Sequence, residues 1–133
     1  MKDTYIYPAI FTQEEKGISI EFPDLPGCLP CADNLEEAVK NAKEALGLHL
    51  WGMERDNDEI PAPTDIARLN VQKGKVPIMV DVFMPPVRDR INNRFVKKTL
   101  SIPSWLNIEA ERAGVNFSQI LQNGLKSYLH LAQ

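Results

Sequence analysis

The stretch Arg94–Leu131, RFVKKTLSIPSWLNIEAERAGVNFSQILQNGLKSYLHL, decides how the chain is organised. Between Phe95 and Ile102 the apolar residues Val96, Leu100 and Ile102 fall on alternate positions, the period of a half-buried strand. Lys97, Thr99 and Ser101 then point to the opposite face. Pro103 ends the strand and suits the first turn of a helix, where its missing N–H would have no partner anyway. Trp105, Leu106, Ala110 and Ala113 form an apolar stripe on that helix, and Gly114 stops it. A second helix follows with Asn116 as N-cap and Gln119 three residues on, a variant of the capping box. Its buried face would carry Phe117, Ile120, Leu121, Gly124, Leu125 and Tyr128. One strand and two short helices cannot bury their apolar faces alone, and a lone strand leaves its backbone edge unpaired. The economical solution is a homodimer whose two strands pair antiparallel above four helices.

This strand-Pro-helix-Gly-helix order resembles the ribbon-helix-helix DNA-binding domains of the Arc and MetJ class, over about residues 94–131. Such proteins place a two-stranded ribbon in the DNA major groove, which is wide enough to admit it. The resemblance implies that Lys97, Thr99 and Ser101 are the base-reading positions. It also implies that the second helix, around Asn116, Phe117 and Ser118, holds a phosphate with its free backbone N–H groups. Lys98 departs from the pattern, because it falls on the nominally buried face where family ribbons often carry an apolar residue. It lies either at a frayed strand edge or against a phosphate. A plain helical dimerisation tail is the alternative reading of this stretch.

The rest of the chain is acidic where this stretch is basic. Residues 1–90 hold 10 Lys and Arg against 16 Asp and Glu, while residues 91–133 hold 5 against 2. Such a division points to two partners of opposite charge: nucleic acid for the tail and a basic protein for the body. A hydrophobic content of 44% with 25% charged residues is that of a globular chain, not a disordered one. No apolar run approaches the roughly 18–20 residues that a membrane helix requires. Met1-Lys2-Asp3 leads directly into a strand-like segment, so neither a signal peptide nor a membrane partner is expected, and the expected location is cytoplasmic.

Tyr5–Thr12 and Gly17–Phe22 read as a β-hairpin across the polar turn QEEKG. Ile18, Ile20 and Phe22 alternate with Ser19 and Glu21, and Pro8 asks for an edge position or a bulge. A third short strand is expected over about Gly27–Ala32. Asp33 or Asn34 then caps a helix, with Glu36 or Glu37 closing the box. Leu35, Ala38, Val39, Ala42, Leu46, His49, Leu50 and Met53 repeat at helical spacing to about Met53. His49 lies in that stripe and reads as a core or rim residue. Val76–Met84 is a further strand with Ile78, Val80 and Val82 on one face, ended by Pro85-Pro86, and Val87–Asn93 is a short helix or a hinge.

These elements make a small α+β layer. YPAIF, GISIEFPDLPGC and NLEEAVKNAKEAL, within about residues 4–86, resemble the HicB-type antitoxins of bacterial type II toxin–antitoxin pairs. The resemblance implies a partial RNase H-like antiparallel sheet with one long helix; some members of the family carry a ribbon-helix-helix tail and others a helix-turn-helix, and the resemblance of residues 94–131 selects the former. It implies two domains: 1–87 for toxin binding, and 88–133 for DNA binding and dimerisation. The implied partners are a small basic ribonuclease toxin (HicA-type) and operator DNA, with self-association into a dimer or a larger assembly. Glu21 and Asp24 are the candidate toxin-facing residues of the acidic body.

Catalytic chemistry finds little support. Cys28 and Cys31 form a C-x-x-C, but a zinc site needs four ligands, and His49 and His130 do not stand at finger spacing. No thioredoxin-like βαβ pattern surrounds the pair, so it reads as structural or incidental thiols. A nuclease would need carboxylates converging on two metal ions. Glu21, Asp24, Glu37 and Asp81 are available without a spacing that marks a cluster. No cofactor, metal or catalytic residue is assigned, and the expectation is a non-enzyme. The rival reading is a metal-dependent nuclease or thiol oxidoreductase with a dimerisation tail.

Overall fold

A computed structural model describes residues 2–131, leaving Met1, Ala132 and Gln133 outside the description. The chain forms two compact units that divide between Phe95 and Val96. The first is built on a hairpin of β1 (Thr4–Glu14) and β2 (Gly17–Glu21), in antiparallel register from Ile10↔Glu21 to Glu14↔Gly17. Gly17 is required at the turn: its φ is +95°, and a Cβ there would stand 2.4 Å from the Ala32 carbonyl oxygen. β3 (Cys31–Ala32) flanks β2, and β4 (Lys75–Phe83) pairs antiparallel with β1 from Thr4↔Phe83 to Thr12↔Lys75. The strand order is β3-β2-β1-β4.

One face of this sheet carries Tyr5, Tyr7, Ala9, Phe11, Ile18, Ile20, Val80 and Val82, all buried. Against it packs α1 (Leu35–Arg55) through Ala38, Ala42, Leu46 and Leu50. The small residues let the helix come close. A Cβ on Gly47 would stand 3.2 Å from the Val87 side chain and 3.3 Å from Val82. Asn34 caps α1, its Oδ1 accepting from the Glu37 N–H at 2.9 Å. Glu37 in turn reaches the Asp33 N–H at 3.4 Å, so the box closes one residue earlier than the standard form.

Several local expectations are corrected by the chain's own closure. The third strand is two residues long, not six, because Leu29-Pro30 cannot extend the ladder; Pro30 contributes only its carbonyl, to the Ile20 N–H at 2.9 Å. Leu35 and Val39 belong to the helical stripe yet stay 60% and 52% exposed, since so short a β3 offers little sheet to cover that end of α1. Pro8 sits in an interior strand, but β2 pairing begins only at Ile10, so at Pro8 the strand has β4 on one side alone.

Pro85 and Pro86 end β4 by starting α2 (Met84–Asn92), where their missing N–H groups have no helical acceptor to lose. Met84 and Val87 are buried and Ile91 packs on the core, so the expected boundary after Val87 lies inside a helix that belongs to the body. Arg88 fixes that helix. Its Nε and Nη2 donate to the two Glu54 carboxylate oxygens at 3.0 and 2.7 Å, Nη1 to Asp3 at 2.9 Å and Nη2 to the Lys2 carbonyl at 2.6 Å.

The second unit contains α3 (Ser104–Arg112), preceded by Pro103 and followed by Gly114 at φ +67°, and α4 (Phe117–Tyr128). Residues 94–103, expected to hold a strand over Phe95–Ile102, carry no regular secondary structure within the single chain. A strand is defined by its ladder, and among the described residues this segment has no strand beside it. Neither α3 nor α4 buries a single residue.

Candidate partner-binding surfaces

On the tail, Lys97, Lys98, Thr99 and Ser101 are all exposed on the segment that precedes α3. Asn116 caps α4 as the sequence predicts, its Oδ1 accepting from the Gln119 N–H at 3.0 Å. The box is half-formed: the Gln119 amide donates forward to Asn123 at 2.9 Å instead of returning to the cap. Phe117 and Ser118 open the helix, where backbone N–H groups have no intrahelical acceptor and the helix dipole is positive. Arg112 is paired with Glu109 at 2.9 Å on α3, and Arg94, Lys97 and Lys98 are the exposed cations of residues 94–103. Around these polar groups the apolar side chains lie open: Val96 is 88% exposed, Trp105 67% and Tyr128 82%.

On the body, Glu21 is exposed at the end of β2, whereas Asp24 is engaged. One Asp24 oxygen accepts the Thr64 N–H at 3.0 Å and the other the Thr64 hydroxyl, which pins the loop after α1 across forty residues of sequence. Asp24 thereby walls an open groove of about 640 Å³, together with Pro26, Leu48, His49, Met53, Asp56, Asp58 and Glu59. His49, expected at the core or its rim, is half-buried on the groove wall. The sheet's face away from α1 exposes Ile6, Met79 and Phe83 around the Ile6↔Asp81 pair, and Asp81 lies 3.8 Å from Lys43. No sequence signal marks this patch, because alternation shows which residues share a face but not which face stays open.

The residues weighed for catalysis are not brought together. Glu21 ends β2, Asp24 binds Thr64, Glu37 sits in the first turn of α1 and Asp81 lies on β4. Among the described residues no three His, Cys, Asp or Glu side chains are placed to share a metal ion. Cys28 is buried and Cys31 exposed, both as free thiols, and burial pushes the Cys28 pKa up to about 11. That thiol is the opposite of an activated one. Among the described residues no helix is long and apolar enough to cross a membrane.

A 14.9 kDa uncharacterized protein from the rep-hol intergenic region of Haemophilus phage HP1 is 39% identical over 61 residues, 46% of each chain. Antitoxin HicB 2 of Photorhabdus laumondii is 38% identical over 58 residues, 44% of this chain and 42% of that protein. The matched stretch thus spans less than half the length of these two relatives. A chain from a toxin–antitoxin complex of Streptococcus pneumoniae shares the fold over 94% of this chain and 99% of its own, with a TM-score of 0.58 at 24% identity. The family model described as HicB-like antitoxin of bacterial toxin–antitoxin systems matches residues 7–123, across both compact units. The α+β chain with its four-stranded antiparallel sheet therefore belongs to the HicB-like antitoxin family.

Proposed function

We propose that this protein is an antitoxin that binds and neutralises a small basic ribonuclease toxin through its body, and represses its own operon through a dimeric ribbon-helix-helix tail. The observation that carries the reading is the division of the chain into two units of opposite charge. Residues 1–95 hold 11 Lys and Arg against 16 Asp and Glu, and residues 96–133 hold 4 against 2. An acidic surface steers a basic partner and a basic one tracks phosphates.

On the body, Asp58 and Glu59 at the edge of the groove and the exposed Glu21 supply negative charge, while Asp56 beside them is paired with Arg55 at 3.0 Å. On the tail, a unit of two helices with no buried residue has no core of its own, and a second copy supplies one. Antiparallel pairing of two 95–102 segments gives each strand its missing ladder and sets Lys97, Thr99 and Ser101 on the outward face of the ribbon. Asn116, Phe117 and Ser118 then offer helix N–H groups to a flanking phosphate, and Lys98 adds a second phosphate contact.

The deciding experiment co-expresses the chain with the small basic protein encoded beside it. Co-purification, protection of RNA from that protein, and retardation of DNA from upstream of the operon are the expected results. A preparation that degrades RNA by itself and binds neither the neighbour nor the DNA would return the reading to a nuclease.

A further inference from the structure

The end of α1 carries a row of residues four apart, Leu48, Gly52 and the cap Asp56, that lines the open groove of about 640 Å³ together with Asp24, Asp58 and Glu59. Glycine inside a helix is unfavourable relative to alanine, so Gly52 asks for a physical reason. Gly47, earlier in α1, has one in its own chain: a Cβ there would press on Val87 and Val82. Gly52 has no such neighbour, because a Cβ would meet nothing within 4 Å. Its φ lies outside the left-handed region as well, so the backbone makes no demand for glycine.

The groove is charged as well as notched. Leu48 is 58% exposed on one side of the gap, and Met53 is half-buried beside it. Arg55 pairs with Asp56 at 3.0 Å and compensates its charge. Asp24 is held by Thr64, a neutral partner, so its charge is not compensated. Asp58 and Glu59 are exposed and enter no ion pair among the described residues. Apolar side chains edged by unpaired carboxylates suit a lysine or arginine, whose methylene stem lies on apolar surface while its head stays polar.

We infer that this groove is where the basic toxin docks on the body, and that a lysine- or arginine-bearing segment of the toxin crosses α1 at Gly52. The inference rests on the antitoxin reading proposed above and adds which surface of the body the toxin meets. A segment crossing at Gly52 comes closer to the helix than any side chain there would allow. Its cationic residue lays its stem along Leu48 and Met53 and directs its head to Asp58 and Glu59. A second body would bring the same acidic rim, and like charges across an interface cost affinity.

The test is calorimetric titration of the full-length chain with the small basic protein encoded beside it. Gly52→Ala fits the free helix and should leave the thermal midpoint unchanged or higher. At the crossing the same methyl blocks the approach, so affinity should fall by about tenfold or more. Asp58→Asn with Glu59→Gln should weaken binding by about tenfold and flatten its dependence on salt. Glu15→Gln with Glu36→Gln removes as much charge from exposed positions outside the groove, and should stay within about threefold of the parent chain. If either groove variant binds the neighbour as tightly as the parent does, the toxin does not dock there, and the antitoxin reading stands without the groove. The same result accompanied by lost self-association in sedimentation equilibrium would assign the groove to a second copy instead. A parent chain that does not bind the neighbour at all would overturn the antitoxin reading and the groove with it.

Discussion

At the scale of single residues, the two cysteines behave as opposites. Cys31 is exposed on β3, while Cys28 is 3% exposed in the core. Burial favours the neutral thiol, so the folded protein holds the Cys28 proton up to about pH 11 against an ordinary value of 9.0. The unfolded chain therefore loses this proton first as pH rises, and the associated stability is present below pH 9 and falls between pH 9 and about 11. Urea midpoints measured across that range should decline, and the decline should be smaller in Cys28→Ala. Tyr7, also raised by burial and by its neighbours Tyr5 and Asp24, accounts for part of what remains. Arg88 is the second residue whose loss is expected to register. Its side chain is 17% exposed and that of Glu54 6%, and the guanidinium holds the carboxylate with two hydrogen bonds. Arg88→Ala would leave Glu54 buried without its cation, at a cost of about 3 kcal/mol in denaturant unfolding. Arg88→Lys keeps the charge but not the fork, so it should fall between the two.

Among the elements, the segment before α3 is the one whose structure depends on company. Lys97, Lys98, Thr99 and Ser101 are exposed and without a ladder in the single chain. If two copies pair there and enter the major groove, Lys97→Ala and Lys98→Ala together should weaken binding to operator DNA. The logarithmic salt dependence should then become shallower by about one unit for each phosphate the protein no longer neutralises. Thr99→Ala should change sequence preference as well as affinity if it contacts a base edge. Operator binding that survives both lysine substitutions at an unchanged salt slope would remove the ribbon from the DNA interface. The capping of α4 is independent of DNA. Asn116→Ala deletes the Oδ1 acceptor of the Gln119 N–H and should lower thermal stability of the tail by about 1 kcal/mol, with the body's transition unmoved.

For the whole molecule, the useful cut is after Phe95. A fragment ending at Val87 would discard Arg88 and Ile91, which tie α2 to the body, whereas residues 1–95 keep them. That longer fragment should unfold cooperatively by circular dichroism and still protect RNA from the toxin. It should neither dimerise through the tail nor retard operator DNA. If it folds but fails to restrain the toxin while the full chain succeeds, neutralisation requires the tail or its dimer. Much of this architecture is local in origin and is therefore legible in the sequence. Alternation in Ile18, Ile20 and Phe22 and the repeat of Ala38, Ala42, Leu46 and Leu50 follow from backbone periods of about 2 and 3.6 residues. The caps at Asn34 and Asn116 and the stop at Gly114 follow from side-chain and φ preferences of single residues. What lies beyond it is long-range. The periodic stripe of α1 includes Leu35 and Val39, yet both stay exposed at the end of the helix where β3 is only two residues long. Asp24, a candidate for its charge, holds Thr64, and Arg88, singled out by no pattern, gathers Glu54, Asp3 and the Lys2 carbonyl. Periodicity fixes which face of an element is apolar, because that is a property of neighbouring residues. What covers the face depends on where the chain returns in space, and along α4 Phe117, Ile120, Leu125 and Tyr128 stay exposed among the described residues.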